Sequence, residues 1–205
     1  LLRAITKEGG LKAKLFDQAI ALGVRRQIDP DSLSLKEKIY DALLTVLVRR
    51  KVQKRFGGKI KALVSGGAPL SPEIGYFFAS LELPLLQGYG QTESGPVISV
   101  NWPSNPQMHT VGKILANTEV KIAEDGEILV RGELVMKGYW RDEEETNKTI
   151  MEGWLHTGDI GEFDSDDNLV ITDRKKDIIV NDKGDNVSPQ RIEGLLSLED
   201  EIAQA

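Results

Sequence analysis

Residues 88 to 94 read Gly-Tyr-Gly-Gln-Thr-Glu-Ser, a set of types that suits a nucleotide. Gly88 and Gly90 would let the backbone come close to a flat base. Tyr89 can stack on that base, Thr92 can hydrogen-bond a phosphate oxygen, and Glu93 can hold the Mg²⁺ that phosphates bring. The same heptad also suits a plain turn after a strand, so its meaning depends on what accompanies it.

Three further segments accompany it. Lys61 to Ile74 runs from apolar residues through Gly66-Gly67 to a helix start. Ser71 stands at the N-cap, Pro72 at the first helical position and Glu73 at the positive end of the dipole. A strand, a glycine loop and a helix N-terminus can receive a ligand, and they also make an ordinary connection. In Gly153-Trp-Leu-His-Thr-Gly-Asp-Ile160, Asp159 can accept from both hydroxyls of a ribose, or simply be a solvated acid in a turn. In Thr172 to Val180, the charged run Asp173 to Asp177 separates two apolar runs, as a solvated loop between strands also would.

The elements that must position these residues change character along the chain. Residues 1 to 56 read as helical, with Ile39, Leu43, Val46, Leu47 and Val52 at helical intervals and Gly57-Gly58 as the stop. Arg49 to Lys51, Lys54 and Arg55 complement the helix dipole, or form a basic membrane-surface patch. Residues 59 to 100 read as strand, loop, helix, strand, loop, the alternation of an α/β sheet. Leu83 to Gln87 is its second strand, so two glycine loops would form two sides of one pocket. From Val111 onward short strands are predicted at Val111 to Ile114, Glu119 to Ala123, Glu127 to Val130 and Leu134 to Met136. Asp125-Gly126 marks a hairpin, and Asp164 to Asn168 a second turn between Ile160–Phe163 and Leu169–Thr172. Arg141 to Lys148 reads as a short solvated helix, and Met136, Trp140, Trp154 and Phe163 as core. A boundary is expected near Lys176, then a polar loop Asn181 to Ser188 and a helix from Pro189 through Leu198.

Composition narrows the chemistry. A net charge of −6 over 205 residues gives no support to a nucleic-acid binder, which usually carries a basic face. With no cysteine, disulfides, thiolate metal sites and thiol catalysis are excluded, which also fits a reducing compartment. His109 and His156 have no metal-ligand partner at helical spacing. The opening Leu-Leu-Arg-Ala lacks the apolar core of a signal peptide, and no run is long enough to span a membrane. Starting without Met, the chain reads as a segment of a longer protein.

Together and in this order, the motifs resemble the adenylate-forming acyl-activating enzymes: acyl-CoA synthetases, luciferases and peptide-synthetase adenylation domains. The matching words are Ser65 to Leu70, Gln87 to Glu93, Gly132 to Trp140, Gly153 to Asp159 and Asp173 to Ile179. Lys176 to Pro189 is most similar to bacterial long-chain fatty acid–CoA ligases. The resemblance implies an α/β fold in which residues 1–110 are the α/β portion of a large AMP-binding domain. Residues 111–175 would be its β-rich, barrel-like subdomain, and 176–205 the opening of a small, mobile α+β domain. It implies that Gly66, Gly67, Ala68 and Pro69 form one wall for adenine, with Gly88, Tyr89 and Gly90 on the other side. Thr92 would bind the α-phosphate, Glu93 would carry Mg²⁺, Asp159 would hold the ribose, and Arg174 would reach ribose or phosphate. Lys176 would be the hinge on which the small domain turns between half-reactions.

The implied reaction is ATP-dependent activation of a fatty acid to acyl-AMP, followed by thioester formation with coenzyme A. Alternatives are a ligase for another carboxylic acid, one that hands the acyl group to a carrier protein, or a non-catalytic nucleotide-binding remnant. The family's phosphate loop and its C-terminal catalytic lysine have no counterpart here, and neither Lys175 nor Lys183 takes that role. The isolated chain is therefore expected to be inactive; with much of the large domain's sheet also missing, exposed edges and incomplete burial are expected to make it prone to aggregate. A cytoplasmic protein is expected, with peripheral contact at the inner face of a membrane and oligomerisation left open.

Overall fold

The computed structural model describes residues 10–180, 186–187 and 189–196. Two compact units emerge, Leu1–Ser65 with Leu70–Leu86, and Gly66–Pro69 with Gln87–Ala205.

The first unit is built on helices. Helix α1 (Gly10–Ile28) leads through a 3₁₀ turn at Pro30–Ser32 into α2 (Leu35–Leu44), a π-helical turn at Thr45–Arg49, and α3 (Arg50–Arg55). The start of α2 is fixed by a capping box in which Ser34 and Glu37 satisfy each other's backbone N–H groups. As expected, the run stops at Gly57 and Gly58, whose positive φ angles let their N–H groups return to Lys54 O and Gln53 O. Strand β1 (Leu63–Ser65) and helix α4 (Pro72–Ser80) complete the unit. Phe16, Val52, Leu81 and Leu83 form its core, with Ile20, Val48 and Phe77 packed against them. A Cβ on Gly23 would lie 2.7 Å from Ser80, so α1 and α4 meet at backbone distance.

Two expectations for this unit are corrected. The periodic residues Ile39, Leu43, Val46 and Leu47 do not face this core: Ile39 is 65% exposed and Leu43 50%, and of the five only Val52 is buried. Arg49 is no part of a basic surface, being wholly buried beside Asp41 at 2.5 Å. The π-helical turn accounts for this, because one wider turn rotates Arg49 inward. Ser71 does take the N-cap position of α4, yet its hydroxyl donates to the Glu73 carboxylate rather than capping the backbone.

In the second unit, β2 (Leu85–Tyr89), which belongs to it from Gln87 onward, starts and ends two residues later than expected. It pairs antiparallel with β3 (Ser99–Val100), and β3 with β4 (Lys113–Ile114). A curled five-stranded sheet follows, ordered β5 (Thr118–Ile122), β6 (Glu127–Gly132), β8 (Trp154–Phe163), β7 (Ile150–Met151), with β9 (Leu169–Arg174) also paired to β8. The Asp125-Gly126 hairpin forms as expected, with Gly126 at φ +84° and its N–H on Ala123 O. The Asp164–Asn168 turn also forms, because the Asp164 carboxylate accepts from the N–H groups of Asp166 and Asn168. The expected short helix is α5 (Glu143–Thr149), capped by Asp142. Tyr89, Ile98, Val111, Ile128, Val130, Leu155 and Leu169 make the core. Beyond it lie β10 (Ile179–Val180), paired antiparallel with β11 (Asn186–Val187), and α6 (Pro189–Leu196). Most of the loop expected at Asn181 to Ser188, and the end of the last helix, lie outside the described residues.

Leu134 to Met136 is not a strand; it is a turn segment anchored by the Met136 N–H on Glu93 O at 2.8 Å. The aromatic and sulfur residues expected in the core are not buried either. Trp140 is 87% exposed beside Arg141, and Phe163 is exposed. Met136 is only part-buried. Trp154 is half-buried, with Lys121 and Arg131 over its ring at 4.2 and 4.5 Å.

Candidate functional site

Antiparallel pairing of β8 and β9 sets Asp159 directly opposite Arg174. Arg174 Nε lies 3.4 Å from Asp159 Oδ1, and the Tyr89 hydroxyl donates to Asp159 Oδ2 at 2.7 Å. The Asp159 N–H donates to Thr157 Oγ1, whose own hydroxyl donates to Ile128 O at 2.7 Å. Asp159 is thus fixed from three sides while Arg174 keeps about half its side-chain surface exposed. Each carboxylate oxygen retains a lone pair beyond these contacts, the capacity that a vicinal diol would use. Tyr89 is 9% exposed and belongs to the core, and burial, then the Asp159 charge, push its phenol well above the usual range. It remains a neutral donor to Asp159 at any ordinary pH.

The glycine walls have a plain packing basis. A Cβ on Gly66 would lie 3.3 Å from Gly88 O, so the two glycine loops are immediate neighbours. A Cβ on Gly90 would lie 2.0 Å from Pro96 O, and one on Gly88 3.3 Å from Ser99 O. The side on which a Cβ at Gly88 or Gly90 would lie is therefore filled by this chain's own backbone, a packing reason for glycine that holds with or without a base. Gly67 has φ +83° and open space around it, and Gly66, Gly67, Ala68 and Pro69 are all exposed.

Thr92 and Glu93 open a 3₁₀ turn, Thr92–Ser94, set by mutual capping of Gln91 and Ser94. Gln91 also donates through Nε2 to Thr157 O at 3.4 Å. Thr92 is exposed and Glu93 half-buried, with Glu93 Oε1 accepting from the Tyr139 hydroxyl at 2.9 Å. Burial, then Glu93, raise the Tyr139 phenol. Among the described residues no cluster of three or more His, Cys, Asp or Glu side chains could hold a metal. A Mg²⁺ ion at Glu93 would thus have one carboxylate and the phosphates of its nucleotide, a ligand set that Mg²⁺ commonly takes. No hydrogen bond among the described residues joins Thr92 or Glu93 to Asp159. Lys176 is exposed, two residues past Arg174 in the turn where Asp177 N–H donates to Arg174 O.

Four residues that the sequence did not assign to the site stand around it. Glu127 is buried, accepting from the Gly158 N–H at 2.9 Å and lying 3.1 Å from His156 Nδ1 and 2.9 Å from Lys175 Nζ. Burial alone would raise its carboxyl, but Lys175, His156 and the Gly158 N–H together hold it below the usual range. The fourth is Tyr139. The one available signal was a carboxylate opening the otherwise buried, apolar run of β6.

The profile of the AMP-binding enzyme family matches residues 12–140. Over 173 residues the chain is 40% identical to the long-chain-fatty-acid–CoA ligase FadD15 of Mycobacterium bovis, covering 84% of this chain and 28% of that ligase. It is 36% identical over 203 residues to 4-coumarate-CoA ligase 2 of Narcissus pseudonarcissus, covering 89% of this chain and 35% of that protein. Among solved structures, the O-succinylbenzoate coenzyme A synthetase MenE of Bacillus subtilis, in complex with ATP and magnesium ion, superposes with a TM-score of 0.65. That match is 30% identical and covers 70% of this chain and 32% of MenE. The chain thus spans only about a third of the length of these three relatives, and it belongs to the AMP-binding enzyme family, the adenylate-forming ligases that its motifs resemble.

Proposed function

We propose that the protein carrying this chain uses ATP to convert a carboxylic acid to an acyl-adenylate and then transfers the acyl group to coenzyme A, with a long-chain fatty acid as the acid. The observation that carries this reading is the buried Asp159, fixed by Tyr89 and faced by Arg174 beside the glycine loops. The identity to a long-chain ligase supports the choice of acid, and the MenE complex with ATP and magnesium supports the nucleotide.

In the first step the acid's carboxylate oxygen bonds to the α-phosphorus, the bond to the bridging oxygen breaks, and pyrophosphate leaves with the electron pair. Two anions must meet, so cationic and donor groups carry the catalysis. Asp159 would orient the nucleotide by its ribose, Arg174 would offset phosphate charge, and the Thr92 hydroxyl would donate to the α-phosphate. Gly66 to Pro69 and Gly88 to Gly90 would flank the base. Mg²⁺ held at Glu93 would supply charge neutralisation. In the second step the coenzyme A thiolate bonds to the acyl carbon and AMP leaves. Lys176, exposed at the end of β9, would be the hinge between the steps, with residues 1–175 as the large domain and 176–205 opening the mobile one.

The 36% identity to a 4-coumarate ligase favours an aromatic acid as the second reading. Acyl-dependent ATP–pyrophosphate exchange on the full-length protein separates the two. Exchange should rise with fatty-acid chain length and stay low with 4-coumarate; the reverse order would assign the aromatic acid. ATP binding without exchange for any acid would leave a nucleotide-binding remnant.

A further inference from the structure

Gly158 is gripped at both ends. Its N–H donates to Glu127 Oε1 at 2.9 Å, and its carbonyl accepts from the Lys175 N–H at 2.8 Å. The Lys175 ammonium then returns to Glu127 Oε2 at 2.9 Å and reaches Asp125 Oδ2 at 2.7 Å. A closed ring results: Glu127, Gly158, Lys175 and back to Glu127, with His156 on the same carboxylate. Asp159 follows Gly158 and Arg174 precedes Lys175, so each member of the ion pair is covalently joined to the ring. Pairing is irregular on both sides of β8. The ladder slips between Glu127 and Leu129 on one side and between Ile160 and Gly161 on the other. Gly158 also has φ +72°, so a regular ladder does not hold its peptide groups.

Stability alone is a poor reason for this arrangement. A buried carboxylate with an ammonium is commonly no better than well-packed apolar residues, and the half-exposed Lys175 gains little from surface pairing. What the charged ring does provide is a fixed direction for the peptide that carries Asp159. We propose that Glu127 and Lys175 are positioning residues, which hold the Gly158 peptide so that Asp159 and Arg174 meet the ribose at the right spacing. This rests on the assignment of Asp159 to the ribose hydroxyls.

The test compares binding of ATP and of 2′-deoxy-ATP to the full-length protein by calorimetry, because the ratio of the two affinities reports the grip on the diol and not overall folding. The unaltered protein should prefer ATP by about tenfold, the worth of one charge-assisted hydrogen bond. Lys175→Met, at a half-exposed position, should bring the ratio close to one with little change in melting temperature. Glu127→Gln, although it is expected to cost stability because Glu127 is buried, should also bring the ratio close to one, and Lys175→Arg should keep the preference. An unchanged ratio in both Lys175→Met and Glu127→Gln overturns the positioning role. A ratio near one in the unaltered protein overturns the ribose assignment itself, and the positioning role with it.

Discussion

Glu93 and Tyr139 separate folding from chemistry within one contact. Among the described residues, the Glu93 carboxylate accepts one hydrogen bond, from the Tyr139 hydroxyl at 2.9 Å, whereas its backbone carbonyl anchors Met136. Glu93→Ala leaves that backbone anchor in place and should cost about 1 kcal/mol of stability or less. If Glu93 carries the metal, the same substitution should lower ATP–pyrophosphate exchange by roughly a hundredfold or more, since a metal contributes several kcal/mol of charge stabilisation. Denaturant unfolding and exchange assays on the same preparations check both halves. Exchange at the unaltered level would remove Glu93 from the metal site, and Tyr139→Phe shows how much of any loss belongs to the hydrogen bond alone.

At the scale of elements, the π-helical turn at Thr45–Arg49 decides how the first unit is held. It brings all five Arg49 N–H groups to acceptors: Ser80 O, Ala19 O, Asp41 O, Thr45 Oγ1 and Asp41 Oδ1. One side chain thereby ties α1, α2 and α4 together. Arg49→Met would leave those carbonyls and a buried carboxylate short of a partner, and should lower unfolding free energy by about 3–5 kcal/mol. Urea unfolding measures this, and a loss below about 1 kcal/mol would show that the cage does not carry the packing. Nothing in the run Arg49-Arg50-Lys51 distinguishes the one buried cation, because the wider turn that selects it follows from tertiary contacts. Local signals were legible where one element answered them. The Asp125-Gly126 hairpin, the Asp164 turn, the stop at Gly57 and the helix after Asp142 all satisfy their own backbone groups within a few residues. For the candidate site, the sequence named Asp159 and Arg174 but not what fixes them. Tyr89 lies 70 residues from Asp159 and Lys175 lies 48 from Glu127, so only the assembled sheet brings these groups together.

At the scale of the whole chain, a stripe of apolar residues on α2 and the following turn lies on its surface. Leu35 is 75% exposed, and Ile39, Leu43 and Val46 continue the same stripe at helical spacing. The mycobacterial ligase aligns with this chain over only 28% of its own length, and a stripe left bare is what such a share leaves if further protein packs on that helix. No described helix is long and apolar enough to cross a membrane. Water tolerates exposed apolar side chains in a row poorly, and if the stripe is adhesive in the 205-residue chain a second copy would be its partner. Sedimentation velocity across a concentration series should therefore show association in the micromolar range. Replacing Ile39 and Leu43 with Glu and Lys should abolish it without loss of helical signal, because neither side chain contributes to the core of Phe16, Val52, Leu81 and Leu83. If the unaltered chain sediments as a monomer throughout and binds no apolar dye, the stripe is not adhesive.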